Sequence, residues 1–299
     1  MDLSLVYITL YLLISFVLFQ ITFNRRVSKK FLNRTNDLNE IDWSFFKPDQ
    51  AWLVSQNPQM LEIKVKGSKR SAYFLDLYGK EAKTVIIIHG YTSSALKMGL
   101  FARLYAEEFK MNALLIDLSA HGLSSGSIIR FGLGDYKDIN LWVNKLNELG
   151  YTQAKFIHGV SMGGSTALFA LGHQCHPDIK AVIVDSAYTN LDPILKKQAM
   201  KIYKGPALLF ILGLSFWMRI LCGYSISDIN VYKHLKTLDR PLCLIHGTND
   251  FFVPYTQSEH FHEKFPQTKL QLFKNSSHAC SVHDYRDEYI QTIKDFLGQ

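Results

Sequence analysis

Cysteine is scarce and scattered in this 299-residue chain: Cys175, Cys222, Cys243 and Cys280 form no Cys-x-x-Cys pair and no Cys/His spacing of the kind that holds zinc. They read as small buried hydrophobes in a reducing compartment, and nothing in their spacing supports a disulfide. Internal repeats and low-complexity tracts are missing too. The net charge is +7, yet no basic stripe with interleaved aromatics runs through the chain, so a nucleic-acid partner is not expected. Much of the excess is local, because Arg25, Arg26, Lys29, Lys30 and Arg34 all precede the first following acid, Asp37. With 47% hydrophobic and 20% charged residues, the chain can bury one substantial core.

Charge is absent altogether from Leu3 to Phe23, a 21-residue run long enough to cross a bilayer as a helix. A cleavable signal peptide would carry a basic start, a shorter apolar core and a small-residue cleavage site, whereas this chain begins Met1-Asp2 and continues Asn24-Arg25-Arg26. The expectation is an uncleaved single-pass anchor over 1–24, followed by a basic juxtamembrane and connector segment over 25–60. The positive flank favours a cytoplasmic position for everything after it; loss of the C-terminal domain to protease added outside spheroplasts contradicts that orientation. Trp43, Phe45, Phe46 and Trp52 make the connector amphipathic, lying on the membrane surface or on the domain.

From residue 61 the chain alternates strand and helix. Strands are predicted at Leu61–Val65, Ala72–Tyr78, Thr84–His89, Ala113–Asp117, Ala154–His158, Ala181–Asp185, Leu242–His246 and Leu270–Phe273. Helices are predicted near Ala95–Phe109, Tyr136–Leu149, Gln257–Lys264 and Tyr285–Leu297. This rhythm implies a mostly parallel sheet covered on both faces, with active groups at the carboxyl ends of the strands. It breaks over about 189–236, where Pro206–Met218 is an apolar run of 13 residues, too short for a second span. One crossing there would also put Asp250 and His278 across the membrane from Ser161. The run reads as a helical cap over the strand ends, with a helix packed on the core as the alternative, since periodicity does not separate the two.

The chemistry centres on Gly159-Val160-Ser161-Met162-Gly163, a nucleophile-elbow pattern between a short apolar strand and a helix of small residues. The glycines admit close packing on either side of a turn so sharp that the serine is left exposed. A serine hydroxyl needs a base and an orienting carboxylate, here expected downstream in the order Ser, acid, His. His278 follows the last predicted strand, and Asp250 lies just past the strand ending at His246. Asp185 also ends a strand and is the competing carboxylate. Asp117 and His121 are upstream, in the wrong order, and read as structural. Backbone N–H groups of Tyr91 and Met162 are the expected oxyanion donors. Four His-Gly pairs, at His89, His121, His158 and His246, invite a metal reading, but each glycine has a turn to make and no carboxylate or thiolate cluster accompanies them. No metal and no organic cofactor is expected.

As a set, His89-Gly90-Tyr91, Asp117-Leu-Ser-Ala-His-Gly-Leu-Ser124, the elbow, His246-Gly-Thr-Asn-Asp250 and His278 resemble the α/β-hydrolase superfamily over about residues 60–298. The resemblance is closest to bacterial membrane-anchored serine hydrolases with an N-terminal helix and a cap before the acid loop. It implies an α/β-hydrolase domain over 61–299, the Ser161-His278-Asp250 triad and hydrolysis of carboxylic esters through an acyl-enzyme. A thioesterase or acyltransferase with the same triad is the alternative, and a non-catalytic membrane-tethered binding module is the alternative of another class. The apolar cap and Phe251-Phe252 point to a small, lipophilic ester as partner. One departure stands out: Asn275-Ser276-Ser277-His278 has no glycine where this family often has one shortly before the histidine.

Overall fold

The computed structural model describes residues 2–27, 43–203 and 207–298. Lys29, Lys30 and Arg34 of the basic patch, the start of the connector and Pro206 lie outside the described residues. Eight strands form one sheet in the order β1-β2-β4-β3-β5-β6-β7-β8. They are β1 Gln59–Val65, β2 Ser68–Leu75, β3 Thr84–Ile88, β4 Asn112–Ile116, β5 Lys155–Val160, β6 Ile179–Asp185, β7 Leu242–Gly247 and β8 Lys269–Phe273. Only β2 runs against the rest, pairing antiparallel with both β1 and β4, while β3 to β8 pair in parallel. The predicted strands are all present. β2 starts four residues earlier than expected because Lys66 and Gly67, with φ of 47° and 77°, close a two-residue hairpin turn on β1.

The central strands are buried on both faces, which is why they read as continuous β-branched and aliphatic runs. Their side chains divide by strict alternation. Ile86 and Ile88 join Leu114 and Ile157 on one face, while Val85 and Ile87 join Leu115 and Ile183 on the other. The first face is covered by helices α4 (Tyr136–Glu148) and α5 (Met162–Leu171), through Trp142, Leu146 and Leu168. The second is covered by α2 (Lys47–Ser55), α3 (Gly99–Phe109) and α9 (Arg286–Leu297), through Leu53, Leu104 and Ile293. The connector's aromatic half therefore lies on the domain, with α2 packed on α3. Contact is so close that a Cβ added to Gly99 would meet the Asp49 carbonyl oxygen at 2.2 Å. The helix predicted from Ala95 accordingly begins as a 3-10 turn, Ala95–Met98, and becomes α-helical only at Gly99. Helix α8 (Thr256–Lys264) follows β7.

The insertion after β6 is a helical hairpin on a pinched stalk. Asn190 and Asn230 pair as an isolated bridge, and Val231 N–H donates to the Thr189 carbonyl at 2.7 Å, so the chain leaves and re-enters the domain at one point. Helix α6 (Asp192–Tyr203) leads out and α7 (Ala207–Cys222) returns. Ile211, Leu214 and Met218 bury one face of α7 within the core cluster that holds Phe19 and Phe23.

Those two phenylalanines belong to α1 (Leu3–Phe23), which is long and apolar enough to cross a membrane, with a mean hydropathy of 2.1. Its far end is part of the domain. Phe19 and Phe23 are fully buried, Asn24 bridges to Ile128, and Ile129 N–H donates to the Phe23 carbonyl at 2.8 Å.

Candidate active site

Ser161 stands at the turn from β5 into α5 with φ 54° and ψ −118°, a conformation L-residues avoid. Packing on both sides imposes it. A Cβ on Gly159 would sit 2.4 Å from the Gly163 carbonyl oxygen, and one on Gly163 would sit 2.1 Å from that of Ile88. Ser161 N–H is itself fixed by the Asp185 carbonyl at 2.7 Å.

His278 Nε2 lies 2.9 Å from Ser161 Oγ, and His278 Nδ1 lies 2.6 Å from Asp250 Oδ2. All three side chains are buried. The carboxylate is held before it meets the imidazole: Phe252 and Val253 N–H groups donate to Oδ1 at 3.0 and 2.8 Å, and His246 Nε2 lies 3.1 Å from Oδ2. Burial alone pushes the Asp250 carboxyl up. The His278 charge and the hydrogen bonds from His246 and His278 outweigh it, and the group ends well below the usual carboxylate range. Asp250 therefore stays ionised, which orients the imidazole with Nδ1 protonated and leaves Nε2 to accept from Ser161.

The loop that carries His278 has no glycine ahead of the histidine and makes its left-handed turn at Asn275, whose φ of 60° asparagine tolerates better than most residues. Gly247 lets this loop close on β7, since an added Cβ would meet the Ser276 carbonyl oxygen at 2.2 Å.

The competing carboxylate, Asp185, faces elsewhere. Its Oδ1 accepts from Ser186 Oγ and its Oδ2 from Tyr289 Oη, both at 2.8 Å. Tyr289 Oη also lies 3.1 Å from His158 Nε2, and Tyr105 Oη lies 2.9 Å from His158 Nδ1, so Asp185 ends a buried polar chain behind the elbow. Asp117 receives the N–H groups of Ala95 and Leu123 and fastens the loop after β4, and His121 Nδ1 turns to the Ser119 carbonyl. Among the described residues, no group of His, Cys, Asp and Glu side chains is arranged to hold a metal ion.

Met162 opens α5, where a helix leaves its first N–H groups without intrahelical partners. Gly90 brings the loop after β3 against the serine, because a Cβ there would lie 3.3 Å from Ser161 Cβ. Tyr91 is then clamped by residues that sequence reasoning missed. Its hydroxyl donates to the Thr22 carbonyl at 2.8 Å, its ring stacks on Phe131 at 5.4 Å, and Phe131 meets Phe23 edge-on. Phe19 and Phe23 lie one turn apart, but apolar pairs at that spacing, such as Leu3 and Tyr7 or Leu10 and Ile14, recur along the whole run, so the sequence carried no signal for this packed face.

All four His-Gly histidines are buried, and burial holds His89, His121 and His158 neutral. Burial lowers His89 to about 4, His121 to about 3 and His158 to about 3. Each binds a proton on unfolding near its ordinary value of about 6.5, so their contribution is complete above that pH and is lost as pH falls toward their folded values. Stability is expected to drop by up to about 4 kcal/mol per pH unit below pH 6 if all three act. Urea unfolding at pH 7.5 and pH 5 checks this, and equal midpoints contradict it.

A mostly parallel sheet, a serine on a strained strand-to-helix elbow and a histidine reaching it from the last strand's loop define an α/β-hydrolase enzyme of the serine-hydrolase class. The profile of the prolyl oligopeptidase family matches residues 129–299, more than half of the chain, and the chain belongs to that family. A Bacillus subtilis protein, YqkD, described as uncharacterized, is 28% identical over 235 residues, which is 76% of this chain and 77% of that one. Among solved structures, a Pyrococcus furiosus esterase superposes with a TM-score of 0.66 at 24% identity, covering 82% of this chain and 92% of its own. The Butyrivibrio proteoclasticus protein Est1E, solved with ferulic acid bound, gives 0.61 at 19%, covering 80% and 100%. At these identities the structural likeness is one of fold.

Proposed function

We infer that the protein is a serine esterase working through Ser161, His278 and Asp250. Ser161 Oγ attacks the ester carbonyl carbon as His278 Nε2 takes its proton, and Asp250 stabilises the imidazolium. The N–H groups of Tyr91 and Met162 receive the developing oxyanion. Collapse of the tetrahedral adduct expels the alcohol, which leaves with the proton from His278, and Ser161 carries the acyl group. Water, deprotonated by His278, then attacks the acyl-enzyme; the acid departs and Ser161 Oγ regains its proton. The observation that carries this reading is the unbroken chain of two hydrogen bonds, 2.6 and 2.9 Å, from Asp250 through His278 to Ser161.

Esters are favoured as substrates by the similarity to the Pyrococcus furiosus protein, which is itself named an esterase. An apolar acyl or alcohol group suits the Phe252 ring, 5.3 Å from that of His278. A peptidase reading is kept alive by the family match, and thioesterase or acyltransferase activity needs no different residues. The chain is read as α1 anchoring a hydrolase domain on the cytoplasmic side, since Arg25 and Arg26 follow the apolar run.

Full-length protein in detergent, assayed on p-nitrophenyl acyl esters, an acyl thioester and a prolyl anilide, tests the assignment. Oxyester turnover at least tenfold above the other two is expected. Preferential cleavage of the anilide or the thioester would move the reaction to that class, and no turnover of any of them favours the binding module.

A further inference from the structure

The N-terminal half of α1 and the outer face of α7 leave a large apolar surface uncovered. Leu3, Tyr7, Leu10, Ile14 and Val17 are exposed along α1, and Leu208, Leu212, Phe216 and Ile220 form an exposed stripe along α7 at four-residue spacing. The two helices are neighbours and parallel. Tyr11 Oη donates to the Leu209 carbonyl, Gly213 lies under Ser15, and Trp217 Nε1 donates to Ser15 Oγ, so contacts advance together along both.

We propose that α1 and α7 form one lipid-contacting face, with the cap helix α7 lying beside α1 in the acyl-chain region of a phospholipid bilayer. The first two turns of α1, Leu3–Thr9, carry no charge, and every residue there except the half-buried Val6 is exposed; a second protein copy covers one side of a helix, whereas acyl chains cover every side. Because α7 touches α1 at Tyr11 and Ser15, the medium that surrounds α1 at that level also surrounds the α7 stripe. The seam between them suits lipid as well. Gly213 allows an approach in which an added Cβ would lie 2.5 Å from Ser15 Cβ, and the Tyr11 and Trp217 polar groups are satisfied across the seam. Charge is distributed to match. Arg25 and Arg26 follow α1, and Arg219 lies in the last turn of α7, so cations gather at the same end of the parallel pair, suited to anionic headgroups. Helix α6, packed along α7, keeps its cations engaged with the protein: Lys196 Nζ pairs with Asp192, and Lys197 Nζ donates to the Phe251 carbonyl at 2.7 Å. The Tyr91 loop, which lies against Ser161, is fastened to the buried end of this same α1.

The proposal does not depend on the chemistry of Ser161, and its test reads no activity. Full-length protein carrying Leu212→Cys, with the partly exposed Cys175 and Cys222 changed to serine, is labelled with a polarity-sensitive fluorophore. It is then reconstituted in phosphatidylcholine–phosphatidylglycerol vesicles. Leu141→Cys, exposed on α4, is the control, and thermal unfolding establishes that both variants are folded. A blue shift at position 212, with quenching by doxyl-labelled lipid at least threefold stronger than at 141 and protection from aqueous iodide, is expected. Equal iodide quenching at both positions overturns the proposal. Protection from iodide without quenching by doxyl lipid also overturns it, since a protein, such as a second copy of this chain, then covers the face.

Discussion

Ser161→Ala is expected to lower kcat/KM on the best ester by about 10^4- to 10^6-fold, the scale on which loss of the nucleophile acts in serine hydrolases. The substitution removes one oxygen from a buried site and leaves Gly159, Gly163 and the Asp185 carbonyl that fix the turn. Alanine at φ 54° is strained as serine is, so the fold should hold, with stability changing by less than about 1 kcal/mol. Residual hydrolysis above background is expected from the remaining oxyanion donors. Activity within tenfold of wild type means that the serine reading is wrong.

Asp250→Asn is expected to cost about 10^4-fold in kcat with little change in KM. Asparagine keeps the shape and can still accept the Phe252 and Val253 N–H groups. It loses the charge that stabilises imidazolium, and its amide can offer a donor to His278 Nδ1, holding the ring with Nε2 protonated and unable to accept from Ser161. Asp185→Asn provides the contrast, since that carboxylate is engaged by Ser186 and Tyr289. It should lower thermal stability and leave kcat within a few-fold of wild type. The opposite ranking, a large kcat loss at Asp185 and a small one at Asp250, would transfer the orienting role to Asp185.

Legibility in the sequence followed the range of the forces involved. The elbow could be read because steric exclusion at Gly159 and Gly163 is local and residue-specific, and the parallel strands because burial on both faces demands runs such as Val85-Ile86-Ile87-Ile88. Other features rest on contacts distant in sequence. An apolar helix looks alike whether it faces lipid or a neighbouring helix, so nothing in Leu3–Phe23 announced that Thr22 would accept the Tyr91 hydroxyl 69 residues away. Likewise, the contest between Asp250 and Asp185 was open because both end strands. Three-dimensional packing separates them by giving Asp185 to Tyr289, whose position at the other end of the chain no local pattern reveals. The left-handed turn at Asn275 was hidden for a different reason: asparagine is only one of several residues that adopt it, whereas a glycine there would have stood out.

The most direct test of the central claim is covalent capture. Full-length protein is treated with a fluorophosphonate, digested and sequenced by mass spectrometry, with His278→Ala alongside. One phosphonyl group per chain, on Ser161, with labelling at least a hundredfold slower in the variant, is the predicted result. Modification at another residue, or labelling of Ser161 at an undiminished rate without His278, contradicts the account.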